Sequence, residues 1–244
     1  MNSNEHRVLV WDWPIRIFHW GFALSAGAAL VIALSTEEDG PLFMWHMPLG
    51  IAAAFFLVLR GLLALFGSRP NRLASLFFSP RETLRYFGGV LNRNTPSYGA
   101  HNPGSAINSL LMFALIPLLV WTGVRGEAGE DVHGVLAYVL LGSIAVHVAG
   151  LLLHHMRHGE AIALSMIHGF KRVTATLQPT PAHRWSGLAV AVVALAWTAQ
   201  LFQHFDPDRG TLRIPVLGST LSLGEGEEEE HEDEGHEDNE EDDD

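Results

Sequence analysis

Apolar residues are concentrated in five long runs, at about residues 15–35, 44–66, 106–124, 132–156 and 186–205. About 20 apolar residues cross a bilayer as a helix, so each run is long enough to span. None of the five contains Asp or Glu. The first is no cleavable leader: it follows Trp11-Asp12-Trp13-Pro14 rather than a basic segment, and it contains Arg16 and His19. No repeat of 20–50 residues is visible. The pattern predicts an all-α integral membrane protein with five transmembrane helices. Between the second and third runs, Ser79-Pro80-Arg81-Glu82 reads as an N-cap followed by proline and glutamate, opening a helix at about residues 80–91. Leu84, Phe87 and Leu91 share one face of it, which predicts a helix lying on the membrane surface. Trp11, Trp13, Trp20, Trp45, Trp121 and Trp185 fall near helix ends, as interfacial anchors do.

Composition sharpens this picture. Of 244 residues, 48% are hydrophobic and only 17% charged, against about 25% charged in soluble domains. A soluble globular protein, a disordered chain and a nucleic-acid binder are excluded as classes. The net charge of −12 comes from residues 225–244, which hold 15 acidic groups and no Lys or Arg; the remaining chain has 15 basic against 12 acidic residues. No cysteine is present, so disulfides, iron–sulfur clusters and covalently attached haem are ruled out. Twelve of the 15 basic residues flank the inner ends of the helices or their inner connections, and only Arg125, Arg209 and Arg213 fall on the other side. The positive-inside rule then predicts a cytoplasmic N-terminus and an external C-terminus. Residues 224–244 offer no apolar side chain to bury, which predicts a disordered, external acidic tail. Such a tail would steer a basic soluble redox partner, or simply solvate, or weakly bind metal through His231 and His236.

Ionisable residues inside spans are costly and mark function by default. His19 lies near the inner end of the first helix and His46 at the outer end of the second. His133 and His147 lie at the outer and inner levels of the fourth. Depth therefore pairs His19 with His147 and His46 with His133. Fourteen residues separate His133 from His147, leaving them about 40° apart around the helix and about 21 Å apart along it. This suits two stacked haems, each held between two imidazoles, and nearby Gly21, Gly50, Gly134, Gly142 and Gly150 would admit a porphyrin. A metal-ion or haem transporter, a proton relay, a structural membrane anchor, or histidines that merely pack remain open on spacing alone. The absence of intramembrane carboxylates favours haem.

The strings Val10-Trp11-Asp12-Trp13-Pro14-Ile15-Arg16-Ile17-Phe18-His19-Trp20, Tyr98-Gly99-Ala100-His101-Asn102-Pro103-Gly104, His133-Gly134 with His147-Val148-Ala149-Gly150, and Met166-Ile167-His168-Gly169-Phe170-Lys171-Arg172 resemble motifs of the prokaryotic cytochrome b561 family. That family includes the b-type cytochrome subunit of nickel–iron hydrogenases. The resemblance covers residues 8–172, with Ala100 replacing the usual glycine of its turn, and leaves the helix at 186–205 and the tail at 224–244 outside it. It implies a four-helix haem-binding bundle with two haems b, whose axial ligands would be His19 with His147 and His46 with His133. It also implies a bacterial inner-membrane protein passing electrons between quinone and a redox partner in a respiratory chain. That partner would be external, such as a c-type cytochrome or a hydrogenase-like subunit. His101 could meet a haem propionate or a quinone carbonyl. Arg16 and Arg60 could pair with propionates, or act as ordinary inner-face anchors. His154, His155 and His158 read as solvated.

Overall fold

A computed structural model describes residues 6–37, 40–66, 72–92, 94, 98, 100–173, 180–207 and 209–222. The acidic tail at 224–244 lies outside these. Capping residues set where the helices begin. Asp12 caps α1 (Trp13–Ser35), its carboxylate accepting the Ile15 N–H at 3.2 Å. Asn102 opens α4 (Pro103–Gly123) with a reciprocal capping box: its side chain accepts the Ser105 N–H at 2.8 Å while Ser105 Oγ accepts the Asn102 N–H at 3.1 Å. Pro14 and Pro103 sit in first turns, where a missing N–H costs nothing. Between them run α2 (His46–Phe66) and the short α3 (Pro80–Leu91), where Ser79 Oγ accepts the Glu82 N–H at 3.2 Å. The expected apolar face of α3, Leu84, Phe87 and Leu91, is exposed. Then come α5 (Glu130–His158), closed by Gly159 at φ 64°, the single turn α6 (Ser165–His168), and α7 (Arg184–Gln203).

Among the described helices, five are long and apolar enough to cross a membrane: Trp13–Ser35, Phe43–Phe66, Pro103–Gly123, Gly126–Arg157 and Arg184–Gln203. Their outward faces carry large apolar residues such as Leu24, Val58, Tyr138, Val146 and Leu195. A soluble domain rarely exposes so much apolar surface, whereas a bundle surrounded by lipid does. The closest helix pairs are α1 with α2 and α4 with α5, joined by contact of α2 with α4. Gly21 makes the first pair possible, because a Cβ there would overlap the Phe56 ring. It is a packing glycine, not the porphyrin-admitting gap expected of it. Helix α5 is in extensive backbone contact with α4 and in little or none with α1 or α2. Helix α7 lies against α1 and, less extensively, α2, where Phe55 and Trp197 stack at 4.0 Å.

Two small sheets tie the ends. Strand β1 (His6–Leu9) pairs antiparallel with β2 (Phe170–Val173), placing Arg7 opposite Arg172 and Val8 opposite Lys171. At the other end, β3 (Phe205–Asp206), β4 (Thr211–Arg213) and β5 (Thr220–Ser222) form a meander whose Phe205 and Leu212 are buried against Ile51, Ala52 and Leu201. Neither sheet is expected from the apolar pattern. Trp11 also departs from its expected place as an interfacial anchor: it is 5% exposed, and its indole N–H donates to Ser165 Oγ at 3.2 Å. Trp13, Trp20, Trp45, Trp121 and Trp185 are exposed as anchors should be.

Candidate cofactor site in the helix bundle

The far end of the bundle, where α2 and α5 begin, brings His46 and His133 together. Their ring centres are 5.8 Å apart and their planes 75° from parallel. Each Nδ1 is held by main chain, His46 by the Ala29 carbonyl at 2.9 Å and His133 by the Leu119 carbonyl at 3.0 Å. Carbonyls only accept, so both rings carry the proton on Nδ1 and keep the Nε2 lone pair for a ligand. Thr122 Oγ lies 3.2 Å from His133 Nδ1 and itself donates to the Leu118 carbonyl at 2.8 Å. Phe43 stacks on His46 with centres 5.5 Å apart and planes within 9°. Gly123 lets α4 approach: a Cβ there would stand 3.2 Å from His133 Cε1. None of Ala29, Phe43, Leu119, Thr122 and Gly123 is signalled by the sequence, since they act through a carbonyl, a ring face, an ordinary helical hydroxyl or a missing side chain.

The near end holds His19 on α1 and His147 on α5, close enough to interact electrostatically. The His19 ring meets Trp20 edge-on at 5.5 Å. One turn before His147, the buried Ser143 hydroxyl donates to Asn108 Oδ1 at 2.9 Å and fixes the rotation of α5 against α4. No hydrogen bond to either inner ring occurs among the described residues. The structure therefore brings His46 and His133 into ring contact and leaves His19 and His147 within electrostatic reach of one another.

These residues fit haem b. Two metal–imidazole bonds of roughly 2 Å each need two imidazoles a few ångströms apart with Nδ1 protonated and Nε2 left to bind, and His46 and His133 have ring centres 5.8 Å apart with each Nδ1 on a main-chain carbonyl. Gly50, one turn from His46 on the same face of α2, leaves open space where a Cβ would meet nothing within 4 Å. Gly134, Gly142 and Gly150 are likewise open, but Gly134 and Gly142 lie about 100–180° round α5 from the histidines before them and do not face the pairs. Among the described residues no group of three or more His, Asp or Glu could hold a metal ion. The arrangement is one of two-ligand pairs.

The remaining expected residues gather at the near end. His101 meets Trp11 edge-on at 5.1 Å, half-buried in the turn before α4. Its neighbour Asn102 is occupied as the α4 cap. Arg16 donates from Nε to the Met166 carbonyl at 3.3 Å and lies 4.3 Å over the Trp13 ring. Arg60 is not the snorkelling anchor expected of it: it is 3% exposed, 5.6 Å over the Phe113 ring, with the buried Asp12 within electrostatic reach. A buried cation needs a counter-charge, and the α1 cap supplies one. His154 is half-buried, 3.5 Å from Glu160.

The family model described as prokaryotic cytochrome b561 matches residues 10–169. No curated protein and no solved structure gives a significant match.

Proposed function

The chain belongs to the prokaryotic cytochrome b561 family, and from that premise we propose that it is a di-haem membrane cytochrome carrying electrons across the bilayer between quinone and an external redox protein. Membership makes it a multi-pass membrane b-type cytochrome that functions in electron transfer. The finer reading rests on one observation, the ring-to-ring approach of His46 and His133 with both Nδ1 atoms tied to main-chain carbonyls. That tautomer leaves Nε2 of each imidazole to bind haem iron, and the Ala29 and Leu119 carbonyls would raise its basicity. His19 and His147 would hold the second haem at the inner level. Haem b would supply a one-electron iron couple there, and two histidine ligands would leave the iron no site for oxygen or substrate.

His101, in the turn beside the inner level, is the residue we assign to quinone, where it can offer or accept a proton at a carbonyl oxygen. The basic residues at the near end, Arg7, Arg16, Arg157, Lys171, Arg172 and Arg184, support placing that end in the cytoplasm of a bacterial inner membrane. The acidic tail would then lie outside, where its 15 negative charges favour a cationic partner such as a basic c-type cytochrome.

A reduced-minus-oxidised visible spectrum of the purified chain, with haem and protein quantified together, tests this reading. Two low-spin b-type haems per chain are expected. A haem-to-protein ratio near zero under haem-preserving conditions overturns it.

A further inference from the structure

Helix α7 lies beyond the matched family region, and its packing on α1 creates a feature that the electron-transfer reading does not use. Between α1, α7 and the edge of α2 runs a groove of about 840 Å³, open along one side and lined almost entirely by apolar atoms. Small residues, among them Ala28 and Ala191, give it depth. It extends along α1 from Arg16 to Ala28, about 18 Å at 1.5 Å per residue. That exceeds one leaflet of hydrocarbon, about 15 Å.

The near mouth of the groove is cationic. Arg16 lines it, and no carboxylate pairs with Arg16 among the described residues. Arg7 and Arg16 both act electrostatically on His168; burial first, and then these two positive charges, hold its pKa below the ordinary imidazole value. In the adjoining sheet Arg7 stands directly opposite Arg172, a like-charge pairing that opposes strand association unless an anion joins it. Among the described residues, neither Asp12 nor Glu160 forms an ion pair with Arg7 or Arg16. Asp12 caps α1, and Glu160 accepts the Arg172 N–H at 2.8 Å and meets His154.

We propose that this groove holds one acyl chain of an anionic glycerophospholipid, with its phosphate on the Arg16 guanidinium beside Arg7 and His168. The lipid chain fills the apolar trough between α1 and α7, and the headgroup supplies the missing negative charge at the membrane surface. A neutral quinone head would leave the Arg16 and Arg7 charges uncompensated, and a partner helix would leave them facing apolar side chains. The lipid thereby fastens α7 to the haem-binding bundle.

The test uses the full haem-loaded chain, delipidated in neutral detergent and offered phosphatidylglycerol or phosphatidylcholine of identical acyl chains, with retained lipid counted by native mass spectrometry. One phosphatidylglycerol per chain is expected, preferred over phosphatidylcholine by about fivefold or more for each cation engaged. Arg16→Gln should reduce that preference by about fivefold, and Ala191→Phe should reduce retention of both lipids by filling the trough. Equal retention of the two lipids by the wild-type chain overturns the proposal, whatever the variants do. So does displacement of the lipid by an equimolar quinone, or a preference that survives both substitutions.

Discussion

The two histidine pairs share one helix, α5, yet the protein holds them differently. At the far end, His46 and His133 are oriented by the polypeptide itself: two main-chain carbonyls, Thr122, the Phe43 ring and the close approach at Gly123 fix tautomer and rotation. At the near end, Trp20 packs on His19 and the Ser143–Asn108 bond sets α5, while neither inner imidazole is itself tied by a hydrogen bond among the described residues. One site is built by hydrogen bonds to the ligand rings, the other by packing around them. On the proposed function, a haem held by His46 and His133 should therefore be sensitive to substitutions that never touch iron, and one held by His19 and His147 less so.

The largest effect that would break this comparison comes from the ligands themselves. His46→Ala or His133→Ala should remove one haem and leave the other, halving the haem-to-protein ratio, and His19→Ala or His147→Ala should remove the complementary one; loss of both from any single change would mean that the sites are not independent. Next come the outer supports. Thr122→Val and Gly123→Ala should weaken outer-haem retention by about tenfold, the lower end of what metal sites lose with a supporting residue, with the inner spectral component unchanged. Equal weakening of both components would erase the distinction. At the inner level, His101→Ala should slow quinone reduction several-fold without loss of haem. Asn102→Ala should instead lower thermal stability by about 1 kcal/mol, because it removes the α4 cap; an unchanged quinone rate in His101→Ala would remove that turn from the site. The smallest effect belongs to the tail. Truncation after Leu223 should slow electron transfer to cationic external partners by a few-fold near physiological salt, where charges are screened beyond about 8 Å. Identical rates at low salt would make the tail a solvating appendage.

Much of this is legible in the sequence because membranes punish exceptions. Five apolar runs without acidic residues read directly as crossings, and histidines within them stand out against a background that excludes charge. The Ser79 and Asn102 caps are local devices: Ser79 declares itself by the proline and glutamate that follow, whereas Asn102 passes for a loop residue until its bond to Ser105 is seen. Contacts between distant segments are less legible. Nothing in His6–Leu9 announces a partner at Phe170–Val173. Trp11 looks like any interfacial tryptophan until Ser165 takes its N–H. Gly21 and Gly50 are alike in sequence, yet one is pressed on by Phe56 and the other opens onto free space. Arg60 looks like any anchoring arginine until it is found buried over Phe113 with Asp12 to answer its charge.

Carrying both His133 and His147 on α5 also has an electrical consequence. The 14-residue interval sets a vertical separation of about 21 Å, roughly two-thirds of a 30 Å hydrocarbon layer. On the proposed function, a charge carried from one histidine level to the other crosses that fraction of the transmembrane voltage. At about 2.3 kcal/mol per elementary charge for each 100 mV, the step gains or loses about 1.6 kcal/mol per 100 mV, depending on direction. A tenfold bias in the electron's distribution between the two levels thus follows from an energised membrane alone, and the single rigid helix that spaces the ligands determines how strongly this protein feels it.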